Sequence, residues 1–183
     1  MNARRPPRPR KPLNKERLHE LALHYVARFA TTRAKLSSYL DRKLRERGWE
    51  DGAPPDVERL VERLTASGLV DDALYALSKS RTLSERGYGA ARVRQSLRAA
   101  GVDEEDGAAA RELASEQAVQ AAVRFAKRRR IGPFAEARPD QPGRQKALAA
   151  MVRAGHSFEL ARKLVDCGPG EALDMDELTE ESG

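Results

Sequence analysis

Residues 68–102 read GLVDDALYALSKSRTLSERGYGAARVRQSLRAAGV, and their punctuation sets the class of fold. Gly68 stops one apolar pattern. Asp72 then suits the N-cap of a helix over about 73–86, because a short carboxylate accepts from the free amides of a first turn. Gly87-Tyr88-Gly89 is a helix stop and tight turn. A second helix follows over 90–100, with Val93 and Leu97 inward, and Gly101-Val102 closes it. The closing pattern recurs. Leu44, Leu97 and Met151 each stand four residues before a glycine, and Gly48, Gly101 and Gly155 are 53 and 54 residues apart.

Outward from this stretch the periodicity stays helical. A helix over 16–30 places Leu18, Leu21, Ala22, Tyr25 and Phe29 on one face. A second over 33–47 carries Leu36, Leu40 and Leu44, with Trp49 folding back after Gly48. A third over 55–67 carries Val57, Leu60, Val61 and Leu64, with a proline suited to its first turn. Beyond residue 102, Asp103 caps a weaker helix over 107–115, whose alanines offer little core. A helix over 116–131 carries Val119, Ala122, Val123 and Ala126. A turn-rich insertion spans 132–143, then a helix over 144–154 carries Leu148, Met151 and Val152. Ser157 caps the last helix, through Phe158, Ala161 and Val165. The chain reads as all-α, with three tandem three-helix repeats over 15–71, 72–115 and 116–167. Units of about 50 residues have marginal cores and lean on their neighbours, so an elongated, curved body is expected.

Composition agrees. The 183 residues include 29 alanines but a single isoleucine and ten valines, which favours helix over sheet. No apolar run approaches the roughly 18 residues that span a membrane, and the start of the chain lacks a secretory signal. A single cysteine excludes a disulfide framework, so the expected location is the cytoplasm. Charge is unevenly spread. Residues 1–12 hold five positive charges and residues 168–183 hold six negative ones. Residues 13–167 carry 29 positive and 22 negative charges. The arm over 1–14 and the tail over 168–183 are both expected to be disordered, for want of apolar content. A basic arm on a basic body suits a polyanion or an acidic protein surface.

Catalytic and metal chemistry find little support. His19 and His24 are five apart, so they fall on different helix faces and cannot share a metal. His156 reads as a half-buried packing residue. Cys167 has no general base nearby and reads as an inert thiol. Gly87-Tyr88-Gly89 lacks the strand and the third glycine of a phosphate loop. No catalytic residue, cofactor or metal is assigned. The basic clusters say more: Lys35, Arg42 and Arg45, then Arg81 and Arg86, then Arg92, Arg94 and Arg98, then Arg124, Lys127 and Arg128. Arginine's planar fork suits bidentate pairing with carboxylates or phosphates. Arg81, Arg86, Arg92, Arg94, Arg98, Lys127 and Arg128 are the expected partner-binding residues. Aromatics are not interleaved with these clusters, which argues against a stacking platform for single-stranded bases.

Several of these residues also carry a resemblance. Gly68-Leu69-Val70-Asp71-Asp72, Tyr75-Ala76, Arg81, Gly87-Tyr88-Gly89, Arg92-Val93-Arg94-Gln95, Leu97-Arg98 and Gly101-Val102 closely resemble the middle repeat of RecX-type regulatory proteins. Ala73-Leu74 stands where that pattern has charged residues. The stretch from Arg124 to Phe134 is similar to the third repeat of some members, and the first repeat fits more loosely. The resemblance implies an all-helical, non-enzymatic regulator built of three three-helix repeats. It would bind the RecA recombinase filament on single-stranded DNA. It would inhibit ATP hydrolysis and strand exchange there, in recombination, DNA repair and the SOS response. A monomer with weak direct DNA binding is expected. The alternative reading is a helix-turn-helix-like or sequence-independent DNA-binding protein.

Overall fold

The computed structural model describes residues 11–180; positions 1–10 of the basic arm and 181–183 of the acidic tail lie outside the described residues. Ten α-helices and one short 3-10 turn occur among them: α1 (Lys15–Arg28), α2 (Arg33–Arg47), α3 (Val57–Ala66), α4 (Asp72–Glu85), α5 (Ala90–Ala99), α6 (Ala108–Glu116), α7 (Ala118–Arg129), α8 (Gln141–Arg153), α9 (Phe158–Asp166) and α10 (Met175–Glu180), with the turn at Gly132–Phe134. Extended pairing among the described residues is confined to one isolated bridge between Leu13 and Trp49. The chain divides after Asp71 into two units.

The first unit holds α1–α3 around Leu13, Leu18, Ala22, Leu36, Leu40, Leu60, Val61 and Leu64. Side-chain caps set its helix starts: Asn14, Thr32 and Asp56 accept from the amides of Arg17, Lys35 and Arg59 at 3.0, 3.2 and 2.9 Å. Asp56 caps α3, so Pro55 precedes the helix and does not sit in its first turn. Lys11 to Asn14, expected to belong to a disordered arm, are anchored here. Leu13 is fully buried, and its amide and carbonyl bond the Gly48 carbonyl and the Glu50 amide, each at 2.9 Å. Phe29, expected inward, is 51 % exposed, because α1 ends at Arg28 and Phe29 takes extended backbone beyond it.

The second unit holds two cores. One lies among α4, α5 and α6, around Ala76, Leu83, Val93, Leu97, Ala110 and Ala114. The other lies among α7, α8 and α9, around Val119, Phe125, Met151, Leu160 and Leu164. The alanine-rich α6 is central to the first of these. Ala76, Ser80 and Ala110 are fully buried, and the Ser80 hydroxyl donates to the Ala110 carbonyl at 2.8 Å. Small side chains let α4 and α6 approach until a side chain reaches the opposite backbone. In the last core Val152 and Phe158 face solvent, while Leu160 and Leu164, one turn apart, are buried. Asp140 caps α8 by accepting from the Gly143 amide at 2.8 Å, so that helix starts inside the expected insertion. Part of the acidic tail is ordered: α10 packs Leu178 into this core at 6 % exposure, with Leu173 beside it. These two leucines supply the apolar contact that the tail's charge count concealed.

Gly87-Tyr88-Gly89 joins the two cores. The Gly89 amide donates to the Ala154 carbonyl at 3.0 Å and the Ala91 amide to the Gly155 carbonyl at 3.1 Å. The start of α5 thus satisfies the free carbonyls at the end of α8. A Cβ on Gly89 would lie 2.2 Å from the Gly155 carbonyl oxygen, so only glycine permits the approach. His156, expected to be half-buried, is 95 % buried here, since it is 5 % exposed. Its Nε2–H donates to the Gly87 carbonyl at 3.1 Å, and its ring meets Phe125 edge-on at 5.5 Å. Nδ1 is buried without a protein partner among the described residues. Desolvation therefore lowers the His156 pKa to about 4, against a smaller opposing effect from the Gly87 hydrogen bond.

Two outcomes follow for stability. Gly89→Ala should destabilise the second unit by about 1–3 kcal/mol in urea denaturation followed by circular dichroism. Gly52→Ala, where an added Cβ meets nothing within 4 Å, should change stability by under about 0.5 kcal/mol. His156 binds its proton more readily unfolded, with a pKa near 6.5, than folded, at about 4. Its contribution is therefore complete above pH ~6.5 and falls by up to about 3 kcal/mol as pH drops to ~4. The stability difference between wild type and His156→Gln should carry that slope; a difference constant from pH 7 to 4 would refute it.

Candidate partner-binding surface

The expected binding residues lie on α4, α5, α7 and the turn after α4, all within the second unit. Helix α5 buries Val93 and Leu97 and exposes Arg92, Arg94 and Arg98. Arg94 and Arg98 are one turn apart and share a face. Helix α7 buries Ala121, Ala122, Phe125 and Ala126, which leaves Arg124, Lys127 and Arg128 outside. Arg81 is exposed on α4, and Arg86 is exposed just past its end.

The fold brings some of these together. The Arg128 guanidinium donates to the Arg86 carbonyl, and that of Arg124 donates to the Ser84 carbonyl at 3.3 Å. Both close off the C-terminal end of α4, where unsatisfied carbonyls carry partial negative charge. Arg124 and Arg128 of α7 therefore both reach the backbone at the end of α4. Arg128 and Arg129 also lie over the Phe125 ring, at 5.4 and 5.8 Å. Arg92 reaches Gln95 at 2.9 Å and lies 5.9 Å from the Tyr88 ring centre. Arg94 lines a cavity of about 200 Å³ with Ser115, Ser157, Leu160 and His156. No hydrogen bond or ring contact among the described residues ties Arg81, Arg98 or Lys127 to another member.

None of the seven expected residues enters an ion pair among the described residues. The ion pairs that do form among the described residues lie elsewhere, as in Arg17–Glu50 at 2.8 Å, Arg111–Glu104 at 2.9 Å and Arg130–Glu136 at 2.6 Å. The seven cations are therefore exposed and outside any ion pair among the described residues.

Chemical sites of other kinds are sparse. No group of three or more His, Cys, Asp or Glu among the described residues could hold a metal. Cys167 caps α9, and its thiol donates to the Lys163 carbonyl at 3.2 Å. No described helix is long and apolar enough to cross a membrane. Aromatic and basic residues do meet in the first unit, against the expectation from sequence. Tyr25 near the end of α1 stacks on Tyr39 of α2 and meets Phe29 just past α1, with Arg28, Arg42 and Lys43 around them. The signal was present as the four-residue spacing of Tyr25 and Phe29 and the position of Tyr39 between Lys35 and Arg42. Only helix packing puts the three rings together.

Comparison with known proteins agrees with this architecture. Residues 71–110 match a family model described as the second three-helix domain of RecX. The chain is 37 % identical to the regulatory protein RecX of Myxococcus xanthus, over 91 % of this chain and 92 % of that one. It is 32 % identical to the regulatory protein RecX of Agrobacterium fabrum, over 84 % of each. A crystal structure of RecX from Lactobacillus salivarius shares the fold, with a TM-score of 0.58 and 20 % identity over 82 % of this chain and 93 % of that one. With that identity extending over nearly the whole length of a named relative, the chain belongs to the RecX family of regulatory proteins.

Proposed function

We propose that this regulatory protein binds the RecA recombinase filament on single-stranded DNA and inhibits its ATP hydrolysis and strand exchange, without catalysing a reaction itself. The observation that carries the reading is the surface of Arg81, Arg86, Arg92, Arg94, Arg98, Lys127 and Arg128, exposed and free of ion pairs among the described residues. Such a surface suits acidic side chains and phosphates, both of which a protein filament on DNA presents. Helices α5 and α8 meet through backbone hydrogen bonds, so part of this surface is set before binding and costs little to order.

The mechanism is differential affinity. Binding one filament state more tightly than another shifts the population toward it. A favoured state that hydrolyses ATP slowly would account for inhibition. The same proposal divides the chain into repeats over 15–71, 72–115 and 116–167 and places its action in the cytoplasm. Three separate cores support the division.

Titrating the protein into RecA on single-stranded DNA should lower ATP hydrolysis. Arg94→Glu combined with Arg98→Glu should raise the concentration for half-inhibition about tenfold, or about 1.4 kcal/mol, with an unchanged circular dichroism spectrum. Full inhibition by the double variant at the wild-type concentration would remove α5 from the surface. A wild-type protein that leaves hydrolysis untouched would overturn the function.

A further inference from the structure

We propose that the hollow between the end of α7, the turn at Gly132–Phe134 and α8 is a docking site for an acidic protein segment that carries apolar side chains. This site lies outside the function proposed above and uses none of its seven residues. The hollow encloses about 400 Å³. Its floor is aliphatic: Ile131 and Val165 are buried there, and Ala147 and Ala150 of α8 are half-buried beside them. Arg129, Arg130 and Lys146 line it as well, and all three are exposed. Arg129 and Lys146 enter no ion pair among the described residues. Arg130 pairs at 2.6 Å with Glu136, the single acid among the described lining residues.

Two backbone features mark the site. Gly132 lies so close to α9 that an added Cβ would collide with the Leu164 carbonyl oxygen. The turn is tied further by the Ala135 amide on the Gly132 carbonyl at 3.0 Å and the Gly170 amide on the Pro133 carbonyl at 2.9 Å. This wall is therefore set before anything docks, which lowers the cost of binding. The second feature is Arg130, the one non-glycine residue with positive φ among the described residues, at 54°. After α2, α3, α4, α5 and α8 the same step is taken by Gly48, Gly68, Gly87, Gly101 and Gly155. An L side chain is strained there and glycine is not. The chain keeps a guanidinium beside the hollow against that strain, a pattern that belongs to side chains with a task.

Charge and shape select the occupant. Three cations against one acid favour an anionic partner. The aliphatic floor favours apolar side chains. Nucleic acid offers phosphates, but none of the described lining residues is aromatic, so a base finds no ring to stack on. An apolar peptide without acids would fill the floor and leave Arg129 and Lys146 without anions. A segment with carboxylates beside apolar side chains uses both. The Arg130–Glu136 pair is 72 % and 80 % exposed, so it is weak and yields to a partner's carboxylate.

The test is anisotropy of a labelled peptide of about ten residues, with leucines set among aspartates, titrated with the full chain in the absence of RecA. Wild type should bind it more tightly than two controls, one with asparagine for each aspartate and one with serine for each leucine. Lys146→Glu should weaken binding about threefold or more. Arg130→Gly should weaken it to a similar extent while raising the urea midpoint, because the strain is relieved. Arg130→Lys should keep most of the affinity and leave the midpoint unchanged. Glu136→Gln should tighten binding, since a competing carboxylate is removed. No binding by wild type, equal binding of either control, or wild-type affinity in Arg130→Gly would each overturn the site. An oligothymidylate whose binding falls with Lys146→Glu while that of the peptide does not would assign the hollow to nucleic acid and overturn it as well. RecA is absent from the assay, so its outcome is independent of the inhibition proposed above.

Discussion

Two free helix ends meet in the second unit, and much of its arrangement depends on that meeting. The last carbonyls of α8 have no partners within their own helix, and neither do the first amides of α5. The Gly89 and Ala91 amides bond the Ala154 and Gly155 carbonyls and so satisfy free groups at both ends. The geometry requires backbone against backbone, which is why Gly89 carries no Cβ. His156 seals the joint by donating to the Gly87 carbonyl in a water-poor setting, and it does so as a neutral ring. Tyr88, between the two glycines, packs against both cores.

Charge is displayed on this frame. Helix α5 starts at the joint and carries Arg92, Arg94 and Arg98 outward. Helix α7 packs on α4, and Arg124 and Arg128 reach the carbonyls at the end of α4. Those contacts use the arginines' donors but leave their charge uncancelled. A cation held by a carbonyl keeps its field and loses much of its freedom, which suits recognition of an anionic surface. The two units thus offer different chemistry. The second presents exposed arginines outside ion pairs among the described residues, and the first presents aromatic rings edged with cations.

Most elements were legible because helix signals are local. Caps, three-to-four-residue apolar spacing and stopping glycines place α1 to α9 within a few residues. The spacing of apolar residue and glycine proved more general than a repeat marker. The Leu69, Tyr88, Val102 and His156 amides each bond the carbonyl five residues back, at Leu64, Leu83, Leu97 and Met151. It marks the end of a helix wherever one occurs. The 53- and 54-residue spacing of Gly48, Gly101 and Gly155 therefore reports where helices stop, and the separate cores come from packing. Phe29, Val152 and Phe158 lay on apolar spacing yet face solvent, because a helix end or an exposed flank overrides periodicity. Helix α10 was missed since Leu173 and Leu178 are few among many acids.

The sequence by itself determined the all-helical class, the order and approximate bounds of nine helices, the exposed arginines and the family resemblance carried by residues 68–102. Each of these follows from interactions between residues close in the chain. The tertiary structure alone decided that Gly87-Tyr88-Gly89 is a joint as well as a turn, that the small residues of α4 and α6 make a close core, and that Tyr25, Phe29 and Tyr39 form one row. Those features depend on which helix faces meet, and local periodicity says which face is apolar without saying which other face will cover it.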